Sequence, residues 1–262
     1  MNSVNKTLYI PLYGKATVSR AGILLRDPKA EEIWAAEGFP LKGKSRSKWL
    51  AYNMAMRGRV FDDAVAGALQ GHPDALVLHL GCGMDSRVLR LGMRGKLWFD
   101  VDFPEVIGER RRYFQETEDY RMIGGDLRED WLKEIPSGMD AVVVMEGVSM
   151  YLTRPELCSL LGRLTAHLGK TVIFMDCYTE FAAKATKYKN PINDVGVTQV
   201  YGVDEGKELE DGTGLRCVRE LDMTPQRLIE ELPKREQRFF RTLFAGKIAK
   251  KLYRMYEYKK DA

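Results

Sequence analysis

A chain of 262 residues, 45% hydrophobic and 30% charged, is long enough to bury the core of one large α/β domain. Its first residues show no charged-then-apolar leader and no apolar run approaches a membrane span, which argues against secretion and for a cytoplasmic protein. Cys82, Cys158, Cys177 and Cys217 form no C-x-x-C pair, so reduced thiols are expected and a zinc site is not; the net charge of +4 is concentrated in residues 234–262, with ten Lys/Arg against three Asp/Glu.

In chain order, residues 7–14 are an apolar opening interrupted by Pro11, and residues 15–26 read as a helix. Asp27-Pro28 offers a cap and a first-turn proline for a second helix over 29–37. A loop over 38–45 leads to a third helix over 49–69, carrying Arg57, Arg59, Phe61 and Asp62 near its middle. This helical lead-in, residues 1–70, should pack over one end of a sheet. The core, residues 75–180, opens with the apolar run 75–80, short and rich in strand formers, as for a strand buried on both faces. Gly81-Cys82-Gly83 ends that run, and residues 86–91 read as the opening of a helix. Strands are then expected over 96–102, 120–123, 140–145 and 171–177. Helices are expected over 104–114 and 154–168, the latter closed by Gly169. Strands alternating with helices predict a doubly wound, mostly parallel sheet. Residues 181–213 are irregular and read either as a lid over a substrate or as a solvated excursion. A late strand over 215–223 precedes helices that end the chain. Within the basic end, Phe240, Leu243, Phe244, Ile248, Leu252 and Met255 recur at helical spacing, as in a docked amphipathic helix. A nucleic-acid contact through its basic face is the competing reading.

The glycine turn gains meaning from the residues at the strand tips. In an open α/β sheet, ligands gather beyond the carboxyl ends of the strands. There the sequence places Gly81, Gly83 and Asp85, then Asp102, then Asp126-Leu127, then Glu146. Asp102 lies roughly 20 residues past the glycines, where a βαβ unit sets an acid against ribose hydroxyls. The third glycine of a dinucleotide fingerprint is missing, with Asp85 and Arg87 in that region. A nucleoside without a pyrophosphate fits better, and S-adenosylmethionine is the common cofactor of that kind. Acids at successive strand tips are not expected from burial, and a cationic cofactor supplies a partner. On this reading Asp102 takes the ribose, Asp126 the adenine amino group, and Glu146 the surroundings of the sulfonium.

The segments LHLGCGMDSRVLRL, WFDVDFPEVI, GGDL and MEGVSMYL together resemble the leucine carboxyl methyltransferase family, in particular its bacterial polyketide O-methyltransferases of the tetracenomycin type. The likeness extends back through YIPLYGKA, LLRDPKAEEI and MRGRVFDDAV, covering about residues 8–180. It implies a class I methyltransferase fold and S-adenosylmethionine as methyl donor. It also implies that Arg57 and Lys15 hold the methionine carboxylate, that Gly81 borders the cofactor, that Asp102 binds the ribose, and that Asp126-Leu127 flank the adenine. Glu146 matches the family's Glu-Gly acid. Cys82, Met84 and Ser86 depart from the usual Ala, Leu and Thr, at side chains that need not touch ligand.

The sulfonium methyl is already activated, so positioning supplies most of the acceleration. A carboxylate acceptor is ionised near neutral pH and needs no strong base, whereas an alcohol needs one. The expected acceptor is therefore a carboxylate or acidic hydroxyl, on a polyketide-like small molecule or a peptide C-terminus. Tyr151 and Arg154 are the candidates to orient it, and His79, inside the first strand, reads as a core residue. No metal, nucleic-acid or membrane partner is expected. Two other readings compete: a nicotinamide oxidoreductase on the same sheet, and a non-enzymatic nucleic-acid binder acting through the basic end.

Overall fold

A computed structural model describes residues 7–41, 43–92, 95–186 and 199–260. Its centre is a seven-stranded sheet in the order β3-β2-β1-β4-β5-β7-β6. The strands are β1 (Leu76–Leu80), β2 (Trp98–Asp102), β3 (Tyr120–Gly124), β4 (Ala141–Met145), β5 (Thr171–Tyr178), β6 (Arg216–Leu221) and β7 (Tyr253–Lys260). The first five run parallel, and β7 lies antiparallel to both β5 and β6. β1 and β4 sit mid-sheet, with every residue of both buried, which is why each is a nearly unbroken aliphatic run.

Alternation along β1 divides the core. Val77 faces a cluster built with α1 (Tyr9–Arg20), α2 (Pro28–Glu37) and α3 (Lys48–Gly71). Leu76, Leu78 and Leu80 face the opposite cluster, which includes Leu157, Leu160, Leu161 and Leu164 of α6 (Arg154–His167). The short helices α4 (Arg87–Leu91) and α5 (Pro104–Arg110) follow β1 and β2. The result is a helix–sheet–helix sandwich, the doubly wound arrangement expected.

The lead-in departs from expectation at its start. The first helix begins at Tyr9 and ends at Arg20, and so contains Pro11 instead of following it. Proline in the first turn removes an N–H that has no intrahelical partner there, so it does not break the helix. Asp27 caps α2 as read, its Oδ1 accepting from Ala30 N at 2.9 Å. α1 crosses α3 closely at Gly14, where a Cβ would lie 3.0 Å from that of Met54. Gly58 of α3 leaves room for an incoming side chain, since a Cβ there would stand 2.9 Å from Lys15 Cε.

The chain does not end in helices. After β6 come α8 (Gln226–Ile229), α9 (Lys234–Phe244) and α10 (Lys247–Leu252), and then β7 inserts between β5 and β6. Met255, expected on a helical face, is a buried strand residue paired with Asp176 and Leu221. Leu168 closes α6 in extended backbone, and Gly169 N donates instead to Met139 O. Of the expected lid, residues 187–198 lie outside the described residues; before them stands α7 (Glu180–Ala185). No described helix is long and apolar enough to cross a membrane.

Candidate active site

The carboxyl ends of the parallel strands open into a cavity of about 800 Å³. On its β2–β3 side stand Asp102, Phe103, Val106, Gly125, Asp126 and Leu127; Gly81 and Gly83 lie at its middle. Lys15, Arg57, Glu146 and Gly147 come next, and the β5–β7 side carries Tyr151, Tyr178 and Tyr253. Leu50, Met54, Met150, Leu243, Phe244 and Ile248 complete an apolar part of the wall. Lys15, Arg57, Gly81, Gly83, Asp85, Asp102, Asp126, Leu127, Glu146 and Tyr151 therefore line one cavity. Arg154 does not. It is on the surface, its guanidinium 2.9 Å from Glu208 Oε2 and 2.7 Å from Glu208 O.

Gly81 has φ +64°, and a Cβ on it would fall 2.2 Å from Val148 Cγ2. Behind the turn, Arg110 pairs with Asp100 and donates to Gly83 O at 3.0 Å, fixing the loop from below. A Gly81→Ala variant combines a left-handed backbone with overpacking, so it should lose about 2 kcal/mol or more of stability. At about 2–4 °C per kcal/mol for a chain of this size, thermal melts should show a fall of at least about 5 °C.

Asp102 is held by two backbone amides: Gly83 N donates to Oδ2 at 2.8 Å and Phe103 N to Oδ1 at 2.7 Å. Among the described residues it has no ion-pair partner, and burial pushes its carboxyl up to about 6 against the lowering effect of those amides. Its remaining lone pairs can accept from a ligand. Asp126 is committed to Arg128, whose Nε and Nη2 lie 2.9 and 2.5 Å from its oxygens. That pair holds its carboxyl below the usual range.

Glu146 and Asp85 are not open acids either, which corrects the expectation that strand-tip carboxylates lack partners within the chain. Glu146 pairs with Lys15 and Arg57, each at 3.1 Å, and with Arg87. Asp85 pairs with Lys15 at 2.5 Å, Arg90 at 2.6 Å and Arg87 at 3.4 Å. Burial alone would raise both carboxyls; the surrounding cations hold both well below the carboxylate range. Arg57 also reaches Asp176 at 3.2 Å and the Tyr253 hydroxyl at 2.8 Å, yet its Nε is buried and has no hydrogen-bond partner among the described residues. An orphaned guanidinium N–H on a cavity wall is what a carboxylate-bearing ligand would complete.

Sequence reasoning missed Tyr253 as part of this wall, and Arg87, Arg90, Asp62 and Asp176 as the buried ion pairs behind it. Arg87 and Arg90 were legible as two arginines one helical turn apart just after the glycine turn, and Asp176 as an acid interrupting the apolar run of β5. His79 is the core residue expected. Its Nε2 accepts from Arg87 at 3.0 Å and its Nδ1 lies 3.3 Å from Asp100 without good alignment. Burial, aided by Arg87, lowers its pKa, so the ring is neutral, with Nε2 taken up by Arg87 and Nδ1 turned toward Asp100. Burial raises the Tyr151, Tyr178 and Tyr253 hydroxyls, so all three stay protonated at neutral pH.

The chain matches the leucine carboxyl methyltransferase family over residues 9–165. It is 33% identical over 230 residues to the tetracenomycin polyketide synthesis O-methyltransferase TcmP of Streptomyces glaucescens, covering 85% of this chain and 84% of that protein. It is 32% identical over 183 residues to the S-adenosyl-L-methionine-dependent methyltransferase dpfgK of Gibberella zeae, covering 64% of this chain and 61% of that one. Among solved structures, magnesium protoporphyrin IX methyltransferase from Synechocystis PCC 6803 with bound S-adenosylhomocysteine aligns with a TM-score of 0.52 at 14% identity, over 89% of this chain and 94% of that one. An S-adenosylmethionine-dependent methyltransferase from Clostridium acetobutylicum aligns with a TM-score of 0.51 at 12% identity, over 78% of this chain and 92% of that one. At such identities these two likenesses show the fold alone. The readings as a nicotinamide oxidoreductase and as a non-enzymatic binder give way to these findings. The chain belongs to the leucine carboxyl methyltransferase family and is an S-adenosylmethionine-dependent O-methyltransferase on the class I fold.

Proposed function

We propose that the acceptor is a carboxylate or acidic hydroxyl on a compact, largely apolar molecule of polyketide-like character. The observation that carries this reading is the composition of the cavity wall beyond Glu146: aliphatic, thioether and aromatic side chains predominate, and His79, the histidine that lines the cavity among the described residues, is buried and neutral. An acceptor that is already an anion needs no base. An unactivated alcohol would need one, and neutral, enclosed His79 cannot serve. TcmP, the Streptomyces glaucescens relative named for polyketide O-methylation, supports an acceptor of that class.

In this reading Asp102 accepts from the ribose hydroxyls, Leu127 and Phe103 flank the adenine, and the free Nε of Arg57 receives the methionine carboxylate. Asp126, tied to Arg128, borders the adenine amino group. Lys15 and Glu146 act on Arg57 as a buried frame, so that carboxylate meets a guanidinium already fixed in place. Gly81 and Gly83 keep the middle of the cavity free of Cβ atoms, and Asp85 holds Lys15. When bound, S-adenosylmethionine supplies an electrophilic methyl: the acceptor oxygen forms the new C–O bond as the C–S bond breaks and its electron pair returns to sulfur. Tyr151 lines the cavity with its hydroxyl buried, which supports the reading that it orients the acceptor.

Transfer of labelled methyl to aromatic polyketide acids, their methyl esters and simple phenols tests the assignment. Free acids should be turned over to a base-labile ester, and acidic phenols to a base-stable ether, while pre-esterified compounds without an acidic hydroxyl should be inert. Methylation confined to amines or unactivated alcohols would overturn it, as would turnover of peptide C-termini only.

A further inference from the structure

From helices α9 and α10, we infer that the protein docks peripherally on an anionic lipid surface, with its cavity mouth facing that surface. Five of the seven large hydrophobic side chains exposed among the described residues belong to one region: Phe181 of α7, Phe239 and Leu243 of α9, and Ile248 and Leu252 of α10. The region is continuous. Phe239 packs on Trp49 with ring centres 4.6 Å apart, Leu243, Ile248 and Leu252 share the cavity rim, and the Thr179 amide ahead of α7 donates to Leu252 O. Phe181 is 65% exposed and each of the other four is above 40%, more than a scattered apolar residue needs.

Cations border this strip in register. On α9, Arg235, Phe239 and Leu243 succeed one another at four-residue spacing along one face, with Arg238 beside them. On α10, Lys247 and Lys251 form a row next to the row of Ile248 and Leu252. Arg235, Arg238, Lys247 and Lys251 are exposed, and among the described residues they take no part in an ion pair. An apolar strip edged by unpaired Lys and Arg is the pattern of a helix that lies in a lipid headgroup layer. The long cationic side chains reach headgroups while the rings and aliphatic chains enter the acyl boundary.

The same features disfavour other occupants. A second copy docked through this face would set the two rows of cations against each other. A nucleic acid has no use for a strip of Phe, Leu and Ile, and would leave it wet. The strip also runs into the apolar part of the cavity wall, through Leu243, Ile248 and Leu252. An acceptor dissolved in the bilayer could then enter without crossing water; that last link rests on the proposed function, while the docking itself does not.

Co-sedimentation of the full chain with vesicles of phosphatidylcholine mixed with phosphatidylglycerol, against phosphatidylcholine alone, tests the inference. The bound fraction should be at least about tenfold greater on the anionic vesicles and should fall with salt. The double variant Lys247→Glu/Lys251→Glu should lower it by about tenfold or more, and Phe239→Ser/Phe181→Ser should weaken it as well. Unchanged binding of S-adenosylhomocysteine by these variants would show them folded. The inference fails if anionic and neutral vesicles bind equally, if neither binds, or if the charge-reversed variant binds like the parent. It fails equally if light scattering shows a dimer that Phe239→Ser/Phe181→Ser dissolves.

Discussion

Replacing Asp102 by alanine is expected to weaken S-adenosylhomocysteine binding by at least about a hundredfold. Hydrogen bonds to a charged acceptor contribute roughly 1.5–3 kcal/mol each, and two ribose hydroxyls on one carboxylate put the loss near or above about 3 kcal/mol. Preorganisation lets that interaction count in full. Gly83 N and Phe103 N already fix the carboxylate, so a ligand orders nothing further on binding. Asp102→Asn keeps the shape but presents an amide N–H₂ where one oxygen must accept, and should be nearly as weak. The parent carries its own control in pH. With its carboxyl at about 6, Asp102 protonates on mild acidification and loses acceptor capacity. Affinity should therefore fall as pH drops below about 6, approaching tenfold per unit, and level off above about 7. Titration calorimetry across that window should show the slope in the parent and its absence in Asp102→Ala. A flat profile in the parent, or unchanged affinity in the variant, would remove Asp102 from the cofactor's binding surface.

That prediction rests on a residue the sequence could locate, and it marks what was legible. β1 to β4 could be read because each is a short apolar run closed by glycine or an acid, and strand order then gathers their tips. What the sequence hid is which acids the chain itself neutralises. Lys15 stands 70 residues before Asp85 and 131 before Glu146, and only the packing of α1 on α3 across Gly14 and Gly58 brings the lysine in. Asp102 and Glu146 look alike in sequence; one is held by amides and the other by three cations. The final strand was hidden for a different reason. Phe240, Leu243, Phe244, Ile248 and Leu252 keep a helical spacing, and Met255 continues it by coincidence although the chain has turned extended at Tyr253. The aromatic run Tyr253, Tyr256 and Tyr258 was the available signal for a strand. Missing it also concealed how Tyr253 arrives beside Arg57.

The largest effect on stability should come from Arg87, which binds no ligand in the proposed arrangement. Its guanidinium is fully buried and meets Asp62 at 2.7 Å, His79 at 3.0 Å, Asp85 at 3.4 Å and Glu146. Arg87→Met keeps most of the volume and removes the charge. Three carboxylates then share fewer cations, and breaking a buried pair in this way costs about 3–5 kcal/mol. For a chain of this length the melting temperature should drop by on the order of 10 °C. Arg154→Met is the matched control: its pair with Glu208 is solvent-exposed, and such pairs contribute about 1 kcal/mol or less. The two variants also separate what burial does from what charge does. Glu146 and Asp85 are held ionised by their cations, so their contribution to stability is present above the ordinary carboxylate pKa and is lost as pH falls below it. Without Arg87 that holding weakens, and the stability difference between parent and variant should narrow as pH falls from about 5 towards 3. Melts of parent and Arg87→Met that stayed a constant distance apart over that range would mean the arginine acts by packing alone. In that case the wall behind Arg57 would owe its rigidity to shape and not to the chain of ion pairs from Asp62 to Asp176.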